Sequence, residues 1–373
     1  MWVITTSCSS FRSITSSKIK YTRHRRIIMT QVWDCFLFND ELDLLSFRLS
    51  ELEECVNFFV LVEATRTFRG DAKPLHYAEN QSRYECYSSK IRHIVVEDMP
   101  ALVDTPFMRE KHQHAAILKG LVGVQPDDLV LVGDVDEIPK REVVRELQSQ
   151  MKEPTRLVIN HSIYFANWKL PIQWTDGTMA CRGNQLEDRT MGLVLGKPDA
   201  LWEERTDRMV NHAGWHLSFL GGLDAINKKL GEFSHTEADS LKIRHNKHLE
   251  NCVRLGVDFS GKFILKPMSE AELDPMLRRL QVQWPDTFSF PKRWNFFVAM
   301  VYRGYTSLRN QDILPSQLIE VIDSHVSISL LVLAVPVMIY DFIWRTALRY
   351  RLRHRLRKLH HRFFRLQQDV QPR

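Results

Sequence analysis

"LVLVGDVDEIP", Leu129 to Pro139, runs four apolar residues into a glycine and then places three carboxylates, Asp134, Asp136 and Glu137, within four positions. A short continuous apolar run bounded by turn residues is the mark of a strand buried on both faces. Pro139 ends the strand and opens a helix. Asp134 and Asp136 are separated by one residue, so an extended backbone sets them on one face. Two carboxylates that close repel unless a cation or a proton lies between them. A hard divalent ion, Mn2+ or Mg2+, bridging a diphosphate is the economical partner. In this reading Gly133 lets the backbone approach a ligand closely. Acids at a helix N-terminus that stabilise its dipole are the competing account of the same residues.

The surrounding pattern gives the strand its setting. Val32 to Phe38 is apolar, and Leu42, Leu45, Leu49, Leu52 and Val56 then recur at helical spacing. "FFVLVEA", "KIRHIVVED" and "DLVLVGD" read as strands, with helices over "REKHQHAAILKGLVGV" and "REVVRELQSQM". Strands alternating with helices at these lengths predict an α/β domain with a mostly parallel sheet covered on both faces. Ligands of such sheets gather at the carboxyl ends of the strands. A phosphatase with an aspartyl nucleophile also carries Asp-x-Asp after a strand, but wants it in the first strand; here it follows the fourth.

Composition excludes a basic nucleic-acid-binding domain. The net charge is +6, yet residues 1–28 hold six Lys/Arg and no acid, and residues 345–373 hold ten against Asp369, which leaves 29–344 at −9. The six cysteines form no CxxC and no zinc spacing, and they imply a reducing compartment. Residues 1–28 read as a basic Ser/Thr-rich leader, either a transit peptide or residues ahead of a true start at Met29. The globular domain is expected over 29–290, with a nucleotide-binding-type half to 155 and a second half from 156 that supplies the other wall of a cleft. A connecting segment follows to 325. Residues 326–344 are apolar over a length of about 28 Å if helical, near the span of a bilayer core. In residues 345–373, Leu348, Leu352, Leu356, Leu359, Phe363 and Leu366 step by four or three among arginines, the pattern of a basic amphipathic helix at an anionic membrane surface.

"VWDCFLFNDELDLLSFRLSELEECVNFFVLVEATRTFRGDAKPLHY", followed by "GDVDEIP" and "GWHLSF", resembles glycosyltransferase family 17 over roughly Val32 to Leu265. The resemblance implies a GT-A-like fold and inverting transfer of N-acetylglucosamine from UDP-N-acetylglucosamine with a divalent cation, the family's known product being the bisecting residue of N-glycans. No signal anchor followed by a stem is visible in the sequence ahead of the domain, and the apolar segment lies at the opposite end. That placement favours a membrane-associated protein on the cytoplasmic face, with a lipid-linked or polysaccharide acceptor as the alternative to an N-glycan.

Within this frame Asp134 and Asp136 hold the metal and diphosphate, and Glu137 is secondary, facing the helix N-terminus. His216 of "AGWHLSF" completes the metal shell or meets the leaving diphosphate, against the alternative of a packed histidine. Glu63 ends "FFVLVE" where a carboxylate accepts from ribose hydroxyls or the uracil N–H; pairing with Arg66 or Arg69 is the alternative. Thr65, Arg69 and Lys73 form a polar loop within reach of phosphate. Arg109 and Gln113 open the helix before the Asp-x-Asp strand, where a cation offsets diphosphate charge. Trp215 and Trp168 are sugar platforms or core. The general base that takes the acceptor's proton is Glu237 first and Asp188 second. A nucleotide- or glycan-binding adaptor without turnover, and a nucleic-acid binder resting on the arginine tail, are the rival functions.

Overall fold

In the computed structural model Val32–Phe38 forms the first strand, β1, with all seven residues buried. The structure describes residues 30–101, 105–175, 177–186, 208–232, 246–291 and 294–311, together with 319, 322 and 323. Glu237, Asp188, the leader and residues 326–373 lie outside the described residues.

β1 is followed by helix α1 (Leu42–Leu52), β2 (Phe58–Ala64), the short α2 (His76–Glu79), β3 (Ile91–Val96), α3 (Pro106–Ala115), the single turn α4 (Ile117–Gly120) and β4 (Leu129–Asp134). These four strands are mutually parallel in the order β3-β2-β1-β4. The chain steps outward from β1 through β2 to β3 and then returns to β1's other side as β4. The crevice at the carboxyl ends of β1 and β4 is therefore a topological switch point, the place where open α/β sheets receive ligands.

Alternation along β1 divides its side chains between two cores. Phe36 and Phe38 join Leu45, Leu49 and Leu52 of α1, together with Val144 and Leu147 of helix α5 (Arg141–Gln150). Trp33, Cys35 and Leu37 face Ala116, Ile117 and Leu121 on the opposite side. Burying an aliphatic or aromatic side chain of this size contributes roughly 1.5–3 kcal/mol, so both faces of the parallel sheet are strongly covered.

The second half of the sheet is largely antiparallel. β8 (Met179–Arg182) runs antiparallel to β4, β6 (Thr155–Ile163) antiparallel to β8, and β7 (Trp168–Trp174) antiparallel to β6. β10 (Lys266–Pro267) closes that edge. β9 (Met209–Ser218) lies parallel to β6 and also holds β5 (Glu137–Pro139) in antiparallel register. The sheet as a whole is mixed; the link from β6 to β7 is short enough for a hairpin, and the other antiparallel pairs join strands distant in the chain. Pro139 does not open a helix: it is the last residue of β5, and α5 begins at Arg141. The single helix expected over 109–124 is broken into α3 and α4.

Helices α6 (Gly222–Glu232), α7 (Asn246–Leu255), α8 (Pro275–Gln283) and α9 (Phe296–Asn310) cover the second half. The segment expected to connect, 291–325, carries α9, whose Tyr302 and Tyr305 are buried in one cluster with Trp168. It is part of that half's core. Among the described residues no helix is long and apolar enough to cross a membrane. Cys35, Cys55, Cys86 and Cys252 carry free thiols.

Candidate functional site

The carboxylate run emerges from β4 into a turn whose backbone is tied from three sides. Arg48, on the buried face of α1, forks onto Asp34 of β1 through Nε at 2.8 Å and Nη2 at 2.7 Å. Its Nη1 donates to the carbonyls of Asp134 at 2.7 Å, Val135 at 3.3 Å and Glu137 at 2.8 Å. The remaining carbonyl, of Asp136, accepts from Leu217 N of β9 at 2.9 Å, and Val135 N donates to Leu37 O of β1 at 3.1 Å. A fully buried charge is tolerable only when paired and hydrogen-bonded, and both conditions are met here.

On this backbone the two aspartates take different roles. Asp136 is buried and meets Lys229 Nζ of α6 at 2.7 Å and His216 Nε2 of β9 at 3.3 Å. Burial alone would raise its pKa, but Lys229 and then His216 outweigh it and hold the carboxyl ionised, well below its ordinary range. Lys229 shows the reverse balance: burial works against its charge, and Asp136 and Glu41, 3.5 Å away, hold the ammonium protonated beyond its usual pKa. Asp134 keeps a half-exposed side chain, with His114 Nε2 at 3.9 Å. Its carboxyl is pushed well up, by its enclosed surroundings first and then by Asp136 and Glu110. It is the more exposed carboxylate of the pair.

Glu137 does not face a helix N-terminus. It lies on β5, buried, accepting from Trp174 Nε1 at 2.5 Å and from Thr178 Oγ1 at 3.4 Å. Burial, followed by the charge of Asp134, pushes its pKa up to about 8. Gly133 makes room for this carboxyl: a Cβ there would come within 2.6 Å of Thr178 Oγ1 and 2.8 Å of Glu137 Oε2.

His216 stacks on His161 at 4.4 Å, with Trp174 4.8 Å from His216. His161 is held neutral, its pKa brought down to about 2 by burial and then by the neighbouring His216. The expected metal set of Asp134, Asp136 and His216 does not converge. Oδ2 of Asp136 is taken by an ammonium, and among the described residues no group of three or more His, Cys, Asp or Glu side chains is arranged to hold a metal ion. As placed, these side chains alone do not enclose an ion.

Other residues singled out in the sequence have internal partners. Glu63 is buried, accepts from Tyr77 N at 3.0 Å and meets His93 Nε2 at 3.1 Å, in place of the expected Arg66 or Arg69. Lys73 lies 3.9 Å from Glu63 and donates to Asn39 O at 3.1 Å. Arg69 reaches Leu230 O of α6 at 2.9 Å, which ties the loop after β2 to the helix bearing Lys229. Arg109 donates to the carbonyls of Phe68, Pro100 and Ala101, and Gln113 to Val62 O. Trp215 and Trp168 are both core residues whose N–H groups go to Asp274 Oδ2 and Ser289 O. The partly exposed aromatic beside the carboxylates is Trp174.

Sequence reasoning missed Arg48, Asp34, Lys229, Trp174 and His161. A signal existed for the first two: a charge on the apolar stripe of a helix and a charge inside an apolar strand, which need each other. None existed for Lys229, whose helix follows ninety residues later in a run of ordinary amphipathic character.

The sequence profile described as Glycosyltransferase family 17 matches residues 15–263, beginning ahead of Met29. The chain is 27% identical over 279 residues to the beta-1,4-mannosyl-glycoprotein 4-beta-N-acetylglucosaminyltransferase of Rattus norvegicus, covering 63% of this chain and 49% of the relative. The Homo sapiens protein of the same name is 27% identical, with 63% and 50% covered, and the Mus musculus protein 26% identical, with 63% and 49% covered. The chain thus spans about half the length of the curated relatives it matches. With the match extending over well more than half of its residues, the chain belongs to glycosyltransferase family 17.

Proposed function

We propose that this protein transfers N-acetylglucosamine from UDP-N-acetylglucosamine to a glycan acceptor with inversion at the anomeric carbon. The observation that carries the reading is the Asp134–Asp136 turn at the switch point of the parallel strands, with the Lys229 ammonium 2.7 Å from Asp136. The order of the parallel strands supports a GT-A-like arrangement for the nucleotide-sugar half. The donor sugar is supported by the relatives' name.

In this reading the diphosphate enters between β1 and β4, and Lys229 meets the negative charge that grows on departing UDP. Fixed positive charge in a site with little water is worth more than the same charge in solution. The acceptor oxygen gives its proton to a carboxylate base and bonds to the anomeric carbon as the bond to UDP breaks. Glu237 and Asp188 remain the proposed bases. A divalent cation at Asp134 rests on the family resemblance alone. Attachment to the cytoplasmic face of a membrane, through 326–344 and the basic 345–373, rests on sequence pattern.

UDP release from a panel of UDP-sugars, with Mn2+ and with chelator, tests the reading. UDP-N-acetylglucosamine is expected to be turned over fastest, and Asp136→Asn to lower the rate about a hundredfold. Undiminished release by Asp136→Asn would sink the assignment. Binding of UDP without release from any donor would favour an adaptor.

A further inference from the structure

We infer that Arg48 is the positioning residue of the carboxylate turn: through Asp34 it fixes the backbone from Asp134 to Glu137, and so the direction in which Asp134 and Asp136 meet a nucleotide-sugar diphosphate. The ligand in this statement rests on the function proposed above; the geometry does not.

The four carbonyls from Asp134 to Glu137 all have donors, three of them on the single nitrogen Nη1 of Arg48 and the fourth on Leu217. A turn held only through its side chains would let Asp134 and Asp136 swing with whatever binds. Held through its carbonyls, it presents both carboxylates from a fixed frame, which lowers the ordering cost of binding. Arg48 can do this because it is itself immobile: its side chain is fully buried, two of its nitrogens are locked onto Asp34, and its guanidinium lies 4.5 Å over the ring of Phe36. A lysine carries one nitrogen and no planar fork, so it cannot serve Asp34 and the turn together.

A merely structural ion pair would also be missed if broken, so the test needs a matched control. Glu51 lies one helical turn from Arg48 on α1, is equally buried, and joins Arg141 at 3.1 Å and Arg279 at 2.6 Å without touching the turn. The full-length chain with Arg48→Lys or Glu51→Gln is compared with wild type in two readouts: UDP affinity by calorimetry, and amide hydrogen exchange of the segment 133–138. Arg48→Lys is expected to weaken UDP binding about tenfold or more and to speed exchange at Val135 by a similar factor, the loss of a charge-assisted hydrogen bond. Glu51→Gln should leave both near wild type while lowering the melting temperature comparably. Equal shifts in the two variants, or an unchanged exchange rate at the turn in Arg48→Lys, overturn the inference. If Arg48→Lys does not fold, Asp34→Asn, which keeps the guanidinium but loosens its anchor, is read in the same way with the same outcomes. Failure of wild type to bind UDP would count against the donor reading, and the exchange measurement would still decide the role of Arg48.

Discussion

Three loops leave the carboxyl edge of the parallel strands under the control of two buried arginines, which hold them by different means. After β2 and β3, Arg109 gathers the carbonyls of Phe68, Pro100 and Ala101. After β4, Arg48 gathers those of Asp134, Val135 and Glu137 while its other nitrogens are fixed by Asp34. Both act as staples. Among the described residues only the second has its charge cancelled by an acid, and the reason lies in what it staples. A turn that already carries Asp134, Asp136 and Glu137 would lose its negative field to an uncompensated guanidinium a few ångströms below it. With Asp34 paired to Arg48, the clamp is close to neutral, and the charge that faces the carboxylates is the ammonium of Lys229.

The comparison is broken most directly by removing each guanidinium in turn. Arg48→Met strands the carboxylate of Asp34 in a core with no exposure, and breaking such a pair costs about 3–5 kcal/mol. Arg109→Met removes the donors of three carbonyls but strands no ion among its recorded partners, which is expected to cost about 1–3 kcal/mol. Urea denaturation of the two variants measures the difference. Equal costs would mean that Asp34 is not what distinguishes the clamps. Replacing both partners together, Arg48→Met with Asp34→Leu, should recover much of the loss, since an apolar pair of similar volume carries no desolvation penalty.

Each clamp also depends on a glycine, for unlike reasons. Gly70, in the Arg109 loop, has φ +99°, so alanine there pays for the left-handed backbone, roughly 1–2 kcal/mol. Its added Cβ would also meet the guanidinium of Arg109 at 2.9 Å and press on that clamp. Gly133 has no such backbone demand, but its Cβ would be driven onto Thr178 Oγ1 and Glu137 Oε2, both buried. Overpacking of that kind costs about 1–3 kcal/mol. The sharper distinction is functional: Gly133→Ala should disturb UDP binding as well as stability, whereas Gly70→Ala should disturb stability alone. UDP affinity and melting temperature, measured on both variants, separate the two.

What could be read in the sequence divides along the same line. Strands β1, β2 and β4 were legible because each is a bounded apolar run, and the turn after β4 because its acids stand out against that run. The direction of strands in the second half was not, since a run such as "TRLVINHSI" is equally consistent with either neighbour orientation. Trp215 and Trp168 drew attention as large aromatics, but residue type does not reveal whether a ring is covered. Their burial is set by α8 and α9, which follow long afterwards in the chain. Arg109 stands out in the sequence because it opens a helix near the site, whereas Arg48 sits inside a leucine-rich stripe. Yet the stripe is the stronger signal. A charge there must find a buried partner, and Asp34, alone among apolar residues in "VWDCFLF", is the acid that a neighbouring strand offers.

The smallest effect concerns the carboxyl that the Arg48 clamp leaves most enclosed. Glu137 is raised from 4.5 to about 8, by burial first and by Asp134 second. Between those values the unfolded chain has lost a proton that the folded protein keeps, so stability from this group is complete at low pH and drains away as the pH rises through the window. Asp136, with its pKa depressed, works in the opposite sense and only in acid, so it adds no slope near neutrality. Asp134 is raised like Glu137 and adds slope of the same sign, so the quantity to measure is the difference between wild type and Glu137→Gln. From pH 6 to pH 7 wild type should lose stability relative to the variant by about 1 kcal/mol, the limit for one proton being about 1.4 kcal/mol per pH unit. Urea midpoints at the two pH values give that difference. A variant whose stability falls in parallel with wild type would show that Glu137 is already ionised in its pocket, and that Trp174 and Thr178 stabilise the charge more than burial penalises it.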